Sequence, residues 1–157
     1  MKGNDVPKPD NAIIIGADHA GFKLKEHIKK ELEKLSIPCE DVGVFSEERS
    51  DYPIYIARAA AKVSNGTFKR GIVLCGSGIG ASMVANRFKG VRAALCVTPQ
   101  MAQMSRLHND ANVLALGQRI TTFETASEIL KIWLSTPFEG GRHEHRVAQI
   151  DTVDGSQ

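Results

Sequence analysis

Several features that would assign a chain to a special class are missing from this sequence. It has only three cysteines in 157 residues, Cys39, Cys75 and Cys96, and no CxxC pair, so neither a disulfide framework nor a zinc site is indicated. Its 20 basic and 18 acidic side chains give a net charge of +2, which offers no electrostatic case for binding nucleic acid or a membrane. No apolar run is long enough to cross a bilayer, and the first residues, MKGNDVPKPDN, contain no apolar signal region. We therefore expect a globular protein of the reducing cytoplasm.

The length and composition indicate one domain. A chain of 157 residues can bury one good core but is too short for two domains of ordinary size, and 42% hydrophobic with 24% charged residues is typical of a globular protein. Residues 1–11, which contain Pro7 and Pro9, are predicted to form a flexible extension. Residues 12–154 are predicted to form the domain.

Short apolar runs alternate with amphipathic segments through the domain. The runs that predict strands lie at residues 12–16, 37–44, 71–75, 91–97 and 111–116. Helical spacing of apolar residues between them predicts core-facing stripes, which include Leu24, Ile28, Leu32 and Leu35 in the first helix and Met101, Met104 and Leu107 in the helix that follows Thr98. This alternation predicts a Rossmann-like three-layer α/β/α sandwich with a five-stranded parallel sheet.

The chain changes character after Pro137. The segment EGGRHEHR is flanked by glycine and rich in histidine and arginine, and the residues after it are compatible with a helix. Such a tail has little core of its own to pack on. We expect it to lie across a partner subunit and to carry Arg142 and Arg146 to a neighbouring site.

The most informative stretch is IVLCGSGIGASMVAN, residues 72–86, which joins a buried strand to a helix through three glycines. Cys75 falls at the carboxyl end of the strand, where open α/β sheets place their chemistry. Glycines at 76, 78 and 80 leave backbone N–H groups uncovered, so a negatively charged oxygen can approach them closely. The stretch predicts a thiol beside an anion-binding loop.

Three common interpretations of a glycine-rich loop fail here. A dinucleotide site needs an acidic residue at the end of the next strand, and VRAALCVTP has none. A Walker loop needs GK(S/T), and a thiol phosphatase needs an arginine six residues after the cysteine, where Ala81 stands. Each remaining polar residue also has a plain structural interpretation, since Cys75 could be core packing and His19 and His108 could satisfy helix ends.

Five motifs then occur in the order seen in the type B ribose-5-phosphate isomerases, which the chain resembles from Ala12 onward. They are GADHAG (16–21), DYP (51–53), CGSGIGAS (75–82), RLHNDAN (106–112) and GGRHEHR (140–146). The resemblance implies an isomerase that interconverts ribose 5-phosphate and ribulose 5-phosphate through an enediolate. Hexose-6-phosphate isomerases of the same family, and a noncatalytic phosphosugar-binding module, stay open as alternatives.

Roles for individual residues follow from the resemblance. It implies that Cys75 is the base and His108 the acid that opens the sugar ring. Glutamate just after the third glycine serves as base in another branch, but that position is Ala81 here. Further site residues implied by the resemblance are Ser77 as a catalytic hydroxyl near the sugar, Gly76, Ser77, Gly78, Ile79 and Gly80 around the enediolate, Asp18, His19, Tyr52 and Asn109 at the sugar, and Arg119, Arg142 and Arg146 at the phosphate.

The resemblance also implies the partners of the chain. It implies no metal or organic cofactor and a homodimer with shared active sites, while leaving open whether dimers pair into tetramers.

Overall fold

A parallel sheet of five strands forms the centre of the molecule, in a computed structural model that describes residues 6–156. The strands are β1 (Ile13–Ala17), β2 (Cys39–Asp41), β3 (Arg70–Cys75), β4 (Ala93–Leu95) and β5 (Val113–Gly117), in the spatial order β2-β1-β3-β5-β4. The helices are α1 (Phe22–Lys34), α2 (Tyr52–Ser64), α3 (Ile79–Ala85), α4 (Pro99–Asn109), α5 (Phe123–Ser135) and α6 (Arg142–Thr152). The predicted five-stranded parallel sheet is confirmed.

Helices cover both faces of the sheet, which confirms the three-layer sandwich. Because side chains alternate along a strand, Ile72 and Leu74 of β3 join the core beneath α1, α4 and α5, whereas Val73 and Cys75 join the core beneath α2 and α3. Both faces of the central strands are therefore buried, which explains why these strands read as continuous apolar runs. Cys75 ends β3 on the α2 and α3 side.

Some predicted elements have different limits in the structure. The regular parts of the second and fourth strands are three residues long, Cys39–Asp41 and Ala93–Leu95, although hydrogen bonds to β1 continue as far as Val44. The predicted stripe on α4 is wrong, because Met101 and Met104 are exposed and the buried face consists of Ala102, Ser105 and Arg106. Leu35 is also exposed, since α1 ends at Lys34.

A buried charge network fastens α1 to β2 near the carboxyl end of the sheet. The side chain of Lys25 is fully buried and donates a hydrogen bond to the Asp41 carboxylate, to which Lys29 also donates at 2.9 Å. Burial alone would raise the pKa of Asp41, but hydrogen bonds from Lys25, Lys29 and the Gly43 N–H outweigh it and lower that pKa. The network holds the start of the loop that leads from β2 to α2.

The two ends of the chain were predicted to form a flexible extension and a helical tail. Residues 6–11 contain no helix or strand, yet the backbone N–H of Lys8 donates to the Thr67 carbonyl, and the Asp10 carboxylate pairs with the Lys69 amine at 2.7 Å. The predicted flexibility of residues 1–11 stays a prediction, and residues 1–5 lie outside the described part. The predicted tail is the helix α6, which buries His143 and Val147 against its own chain. Among residues 6–156, no helix combines the length and apolar character needed to span a bilayer.

Candidate active site

The carboxyl ends of β1, β3 and β5 meet at one edge of the sheet, beside a cavity of about 580 Å³. The parallel register puts Cys75 of β3 opposite Gly117 of β5. Most of the predicted site residues line this cavity. Its walls contain Asp18, His19, Ala20, Tyr52, Cys75, Gly76, Ser77, Ile79, Gly80, Met83, Arg119 and Ile120.

The Cys75 thiol lines this cavity. Its residue is only 5% exposed, and its sulfur accepts a hydrogen bond from the Gly78 N–H at 3.1 Å. This bond fixes the sulfur against the glycine loop and places the partial positive charge of the N–H next to the sulfur, which becomes negative when the thiol is deprotonated. The thiol is thus held in place and reaches the cavity.

Two glycines of the glycine loop have no room for a side chain. Gly78 has φ +76° and is buried, and a Cβ there would lie 2.6 Å from Cδ1 of Leu95. A Cβ at Gly80 would lie 2.7 Å from Cζ of Tyr52, so the tyrosine ring rests directly on the loop. The Ser77 hydroxyl accepts the Ile79 N–H at 3.2 Å. Glycine thus lets the loop pack closely against Leu95 and Tyr52, while Gly76, Ser77, Ile79 and Gly80 line the cavity.

Asp18 and His19 lie at the end of β1, across the cavity from the glycine loop. Asp18 is 5% exposed, and its carboxylate accepts the Gly21 N–H at 3.0 Å. The His19 N–H donates to Oγ of Ser50 at 3.0 Å, and Nδ1 of the His19 ring accepts the Ser50 N–H at 3.1 Å. Nδ1 also lies 3.1 Å from the Ser50 carbonyl oxygen, so Ser50 fixes the ring through Nδ1, and Nε2 is the nitrogen left to meet a ligand oxygen.

Arg119 supplies the cationic group of the cavity. Its backbone N–H donates to the Gly76 carbonyl at 2.9 Å, and its side chain lies over Gly76, where a Cβ would be 3.2 Å from a guanidinium nitrogen. The forked guanidinium is the group best suited to a phosphate or carboxylate.

Gly78 is buried within the loop and does not line the cavity, and the remaining predicted site residues form a second group away from it. His108 and Asn109 end α4, and Arg142 and Arg146 lie exposed on α6. The rings of His108 and His143 stack with centroids 4.5 Å apart and planes 18° apart. The structure therefore brings the candidates for the base and the loop together with Asp18, His19 and Tyr52 within one chain. It leaves the candidate acid, Asn109 and two of the arginines on a separate surface, the α4–α6 surface.

Comparison with known proteins decides the family. A model of the ribose/galactose isomerase family matches residues 13–150. This chain belongs to the ribose/galactose isomerase family. Within that family it is 44% identical over 142 residues to ribose-5-phosphate isomerase B of Escherichia coli K12, covering 90% of this chain and 95% of that one. The resemblance to the type B isomerases is thus confirmed.

Solved structures of the ribose/galactose isomerase family share the fold. Ribose-5-phosphate isomerase B of Clostridium thermocellum aligns with a TM-score of 0.88 at 45% identity, covering 89% of this chain and 95% of that one. The Mycoplasma genitalium enzyme, solved with bound ribulose-5-phosphate, aligns with a TM-score of 0.85 at 37% identity, covering 89% and 93%.

Sequence reasoning missed several residues that shape the site. Ala20, Met83 and Ile120 line the cavity, and Ser50 holds His19 from a loop far along the chain. A pattern of polar residues does not mark apolar lining residues, whereas Ser50 could have been suspected because it directly precedes the DYP motif. Gly117 was also missed, although a Cβ there would lie 2.4 Å from the Ser77 carbonyl carbon and oxygen.

Proposed function

We propose that this protein is an aldose–ketose isomerase that interconverts D-ribose 5-phosphate and D-ribulose 5-phosphate through an enediolate. The observation that carries the proposal is the position of the Cys75 sulfur beside the glycine loop and a guanidinium in one cavity. Relatives of the same family named ribose-5-phosphate isomerase B, and one solved with ribulose-5-phosphate, support the pentose substrate.

The reaction moves one proton between neighbouring carbons. In the direction from aldose to ketose, the Cys75 thiolate removes the proton from C2, and the electron pair forms the C1–C2 double bond while the carbonyl oxygen on C1 becomes an oxyanion. The N–H groups of the glycine loop stabilise that oxyanion, and one such donor contributes on the order of a hundredfold in rate. The proton then returns from sulfur to C1, and the C2 hydroxyl proton passes to the oxygen on C1.

The remaining residues bind and orient the sugar. Arg119 binds the phosphate, and the His19 ring with Asp18 contacts sugar oxygens. His108 acts as the acid that protonates the ring oxygen when the furanose opens. No step in this scheme calls for a metal or organic cofactor.

We propose further that the site is completed by a second copy of the chain. His108, Arg142 and Arg146 are absent from the cavity of their own chain, as described above, and the two arginines are exposed. Large apolar side chains surround the cavity mouth, where Ile79 is 49%, Met83 64% and Ile120 60% exposed. Such a patch favours an interface. A homodimer with shared active sites accounts for both observations.

The test of the reaction compares two buried cysteines. Cys75→Ala should lower the rate of ribulose 5-phosphate formation from ribose 5-phosphate by about a hundredfold to ten-thousandfold, the usual contribution of an acid–base group. Cys96→Ala is the control, because burial raises the pKa of the Cys96 thiol to about 11 and its side chain lies outside the cavity. Turnover of allose 6-phosphate or galactose 6-phosphate in preference to the pentose would contradict the substrate, and full activity in folded Cys75→Ala would contradict the base.

The shared site has a test of its own. Arg142→Ala and Cys75→Ala subunits are each expected to be inactive, and mixing them should restore part of the activity because one hybrid site has both residues intact. No recovery after demonstrated subunit exchange would refute the shared arrangement.

A further inference from the structure

Glu139 lies beside the end of α4, to which its backbone is hydrogen-bonded. Its N–H donates to the Leu107 carbonyl at 3.1 Å, which fixes the loop between α5 and α6 beside His108. Its carboxylate oxygen Oε2 lies 3.9 Å from Nε2 of His108 and 3.7 Å from Nε2 of His143. One carboxylate therefore faces both stacked imidazole rings.

The two histidines differ in their surroundings. His143 is 6% exposed, and burial together with the neighbouring His108 and Arg142 lowers its pKa. Its Nε2 accepts a long hydrogen bond of 3.4 Å from Nε of Arg142, which requires an unprotonated nitrogen. The side chain of His108 is 34% exposed and has the Glu139 carboxylate on one side. Of the pair, His108 is the more exposed ring and therefore the one that can meet a ligand.

The same three groups could suggest a metal ion, since their ligand atoms all lie within 4.8 Å of one another. However, an imidazole coordinates an ion that lies in the plane of its ring. Rings stacked with planes only 18° apart direct their nitrogen lone pairs side by side rather than towards one point. The arrangement of these three groups is therefore not that of a metal site.

We propose that Glu139 is a positioning residue for the ring-opening acid: its carboxylate holds the proton on His108 and sets the angle of the ring, which packs on His143. The proposal rests on the function proposed above, because it assumes that His108 is the acid. Arg142 and Arg146 on α6 are the other charged groups that act on His143, and α4 carries the Arg106–Asp110 pair two residues on either side of His108. Arg106 already bonds the Asp110 carboxylate at 2.7 Å, which leaves Glu139 as the carboxylate within reach of the His108 ring among the described ion pairs.

Glu139→Gln tests this role because it removes the charge and keeps the size and the backbone hydrogen bond. Loss of a partly exposed ion pair should move the basic limb of kcat/KM against pH down by about half a unit. With ribose 5-phosphate, kcat/KM at pH 8 should therefore fall about threefold, and more if the ring also loses its orientation. Glu144→Gln is the control, since Glu144 is an exposed carboxylate five residues away with no described contact to His108.

A second measurement separates positioning from binding. An open-chain phosphorylated four-carbon acid that resembles the enediolate needs no ring opening, so its inhibition constant should stay within twofold of the wild-type value in Glu139→Gln. Weaker binding of this inhibitor, or a pH profile unchanged from that of the wild type, would overturn the proposal. Absence of turnover in the wild-type protein would refute the proposed function instead, so the two failures are distinguishable.

Discussion

Replacement of Gly117 by alanine should damage catalysis although Gly117 does not line the cavity. The added Cβ would lie 2.4 Å from the carbonyl carbon and oxygen of Ser77, whereas ordinary contacts begin near 3.4 Å. One of the two backbones must therefore move by about 1 Å. Gly117 ends a central strand that pairs with both β3 and β4, so the glycine loop is the part that moves.

The size of the effect follows from this displacement. The loop carries the N–H groups assigned to the enediolate, and a misplacement of about 1 Å in a catalytic group costs roughly a hundredfold in rate, or about 2.7 kcal/mol in activation free energy. Overpacking should also lower the free energy of unfolding by about 1 to 3 kcal/mol. We expect kcat for ribose 5-phosphate to fall about a hundredfold at a temperature where the variant is fully folded.

Gly71→Ala is the matched control because it adds the same methyl group at the other end of the sheet. Its Cβ would meet methyl groups, Cγ2 of Ile14 at 3.0 Å and Cγ2 of Val63 at 3.1 Å, which side-chain rotation can move. It should lose stability and keep kcat. Steady-state rates and thermal unfolding of both variants decide the matter: a folded Gly117→Ala variant with kcat within threefold of wild type would refute the reasoning.

Two further changes test the supports of the site. Lys25→Met leaves the mostly buried Asp41 carboxylate with only Lys29 as side-chain partner, which should cost about 3 kcal/mol and lower Tm by about 6 to 12 °C. Folding lowers the pKa of Asp41, so the stability contributed by its carboxylate is complete above the unfolded value near 3.8 and is lost as the pH falls through the folded value. The Lys25→Met variant should therefore also show a weaker decline of Tm in acid. An unchanged Tm would contradict the role of Lys25. Ser50→Ala removes the acceptor of the His19 N–H and should raise KM about fivefold with little change in kcat, whereas Ser46→Ala in the same loop should leave KM unchanged. Equal KM values for the two serine variants would argue against the role of Ser50.

The fold was predictable because each central strand is buried on both faces. Runs such as Ile72 to Leu74 have no polar residue to confuse their assignment, and the helices between them have clear starts, as at Thr98 with Pro99. The spacing of apolar residues predicted the wrong buried face for helix α4, because the buried face includes the charged residue Arg106. The guanidinium satisfies its donors on the Thr136 and Ala111 carbonyls and on Asp110, and these partners come from tertiary structure alone.

The candidate site also contains features that could be predicted from the sequence and features that could not. Cys75 and its glycine loop are contiguous in sequence and follow a strand, so their position at the sheet edge could be predicted. The contact between Gly117 and Ser77 could not be predicted, since it depends on the register of two strands 42 residues apart at Cys75 and Gly117. Glu139 gave no signal either, because its relation to His108 depends on how the loop before α6 returns to α4.

The burial of Lys25 also makes this amine a natural probe of local opening. Its side chain has no exposed surface and lies 5.4 Å from the ring centroids of both Phe22 and Phe45, so an amine-reactive reagent cannot reach it while α1 and β2 are in place. Lysines such as Lys23 and Lys69 are about 60% exposed and acylate freely. The extent of acylation of Lys25 in the native protein, measured by mass spectrometry, therefore reports how often the edge strand β2 separates from α1 while the rest of the molecule stays folded.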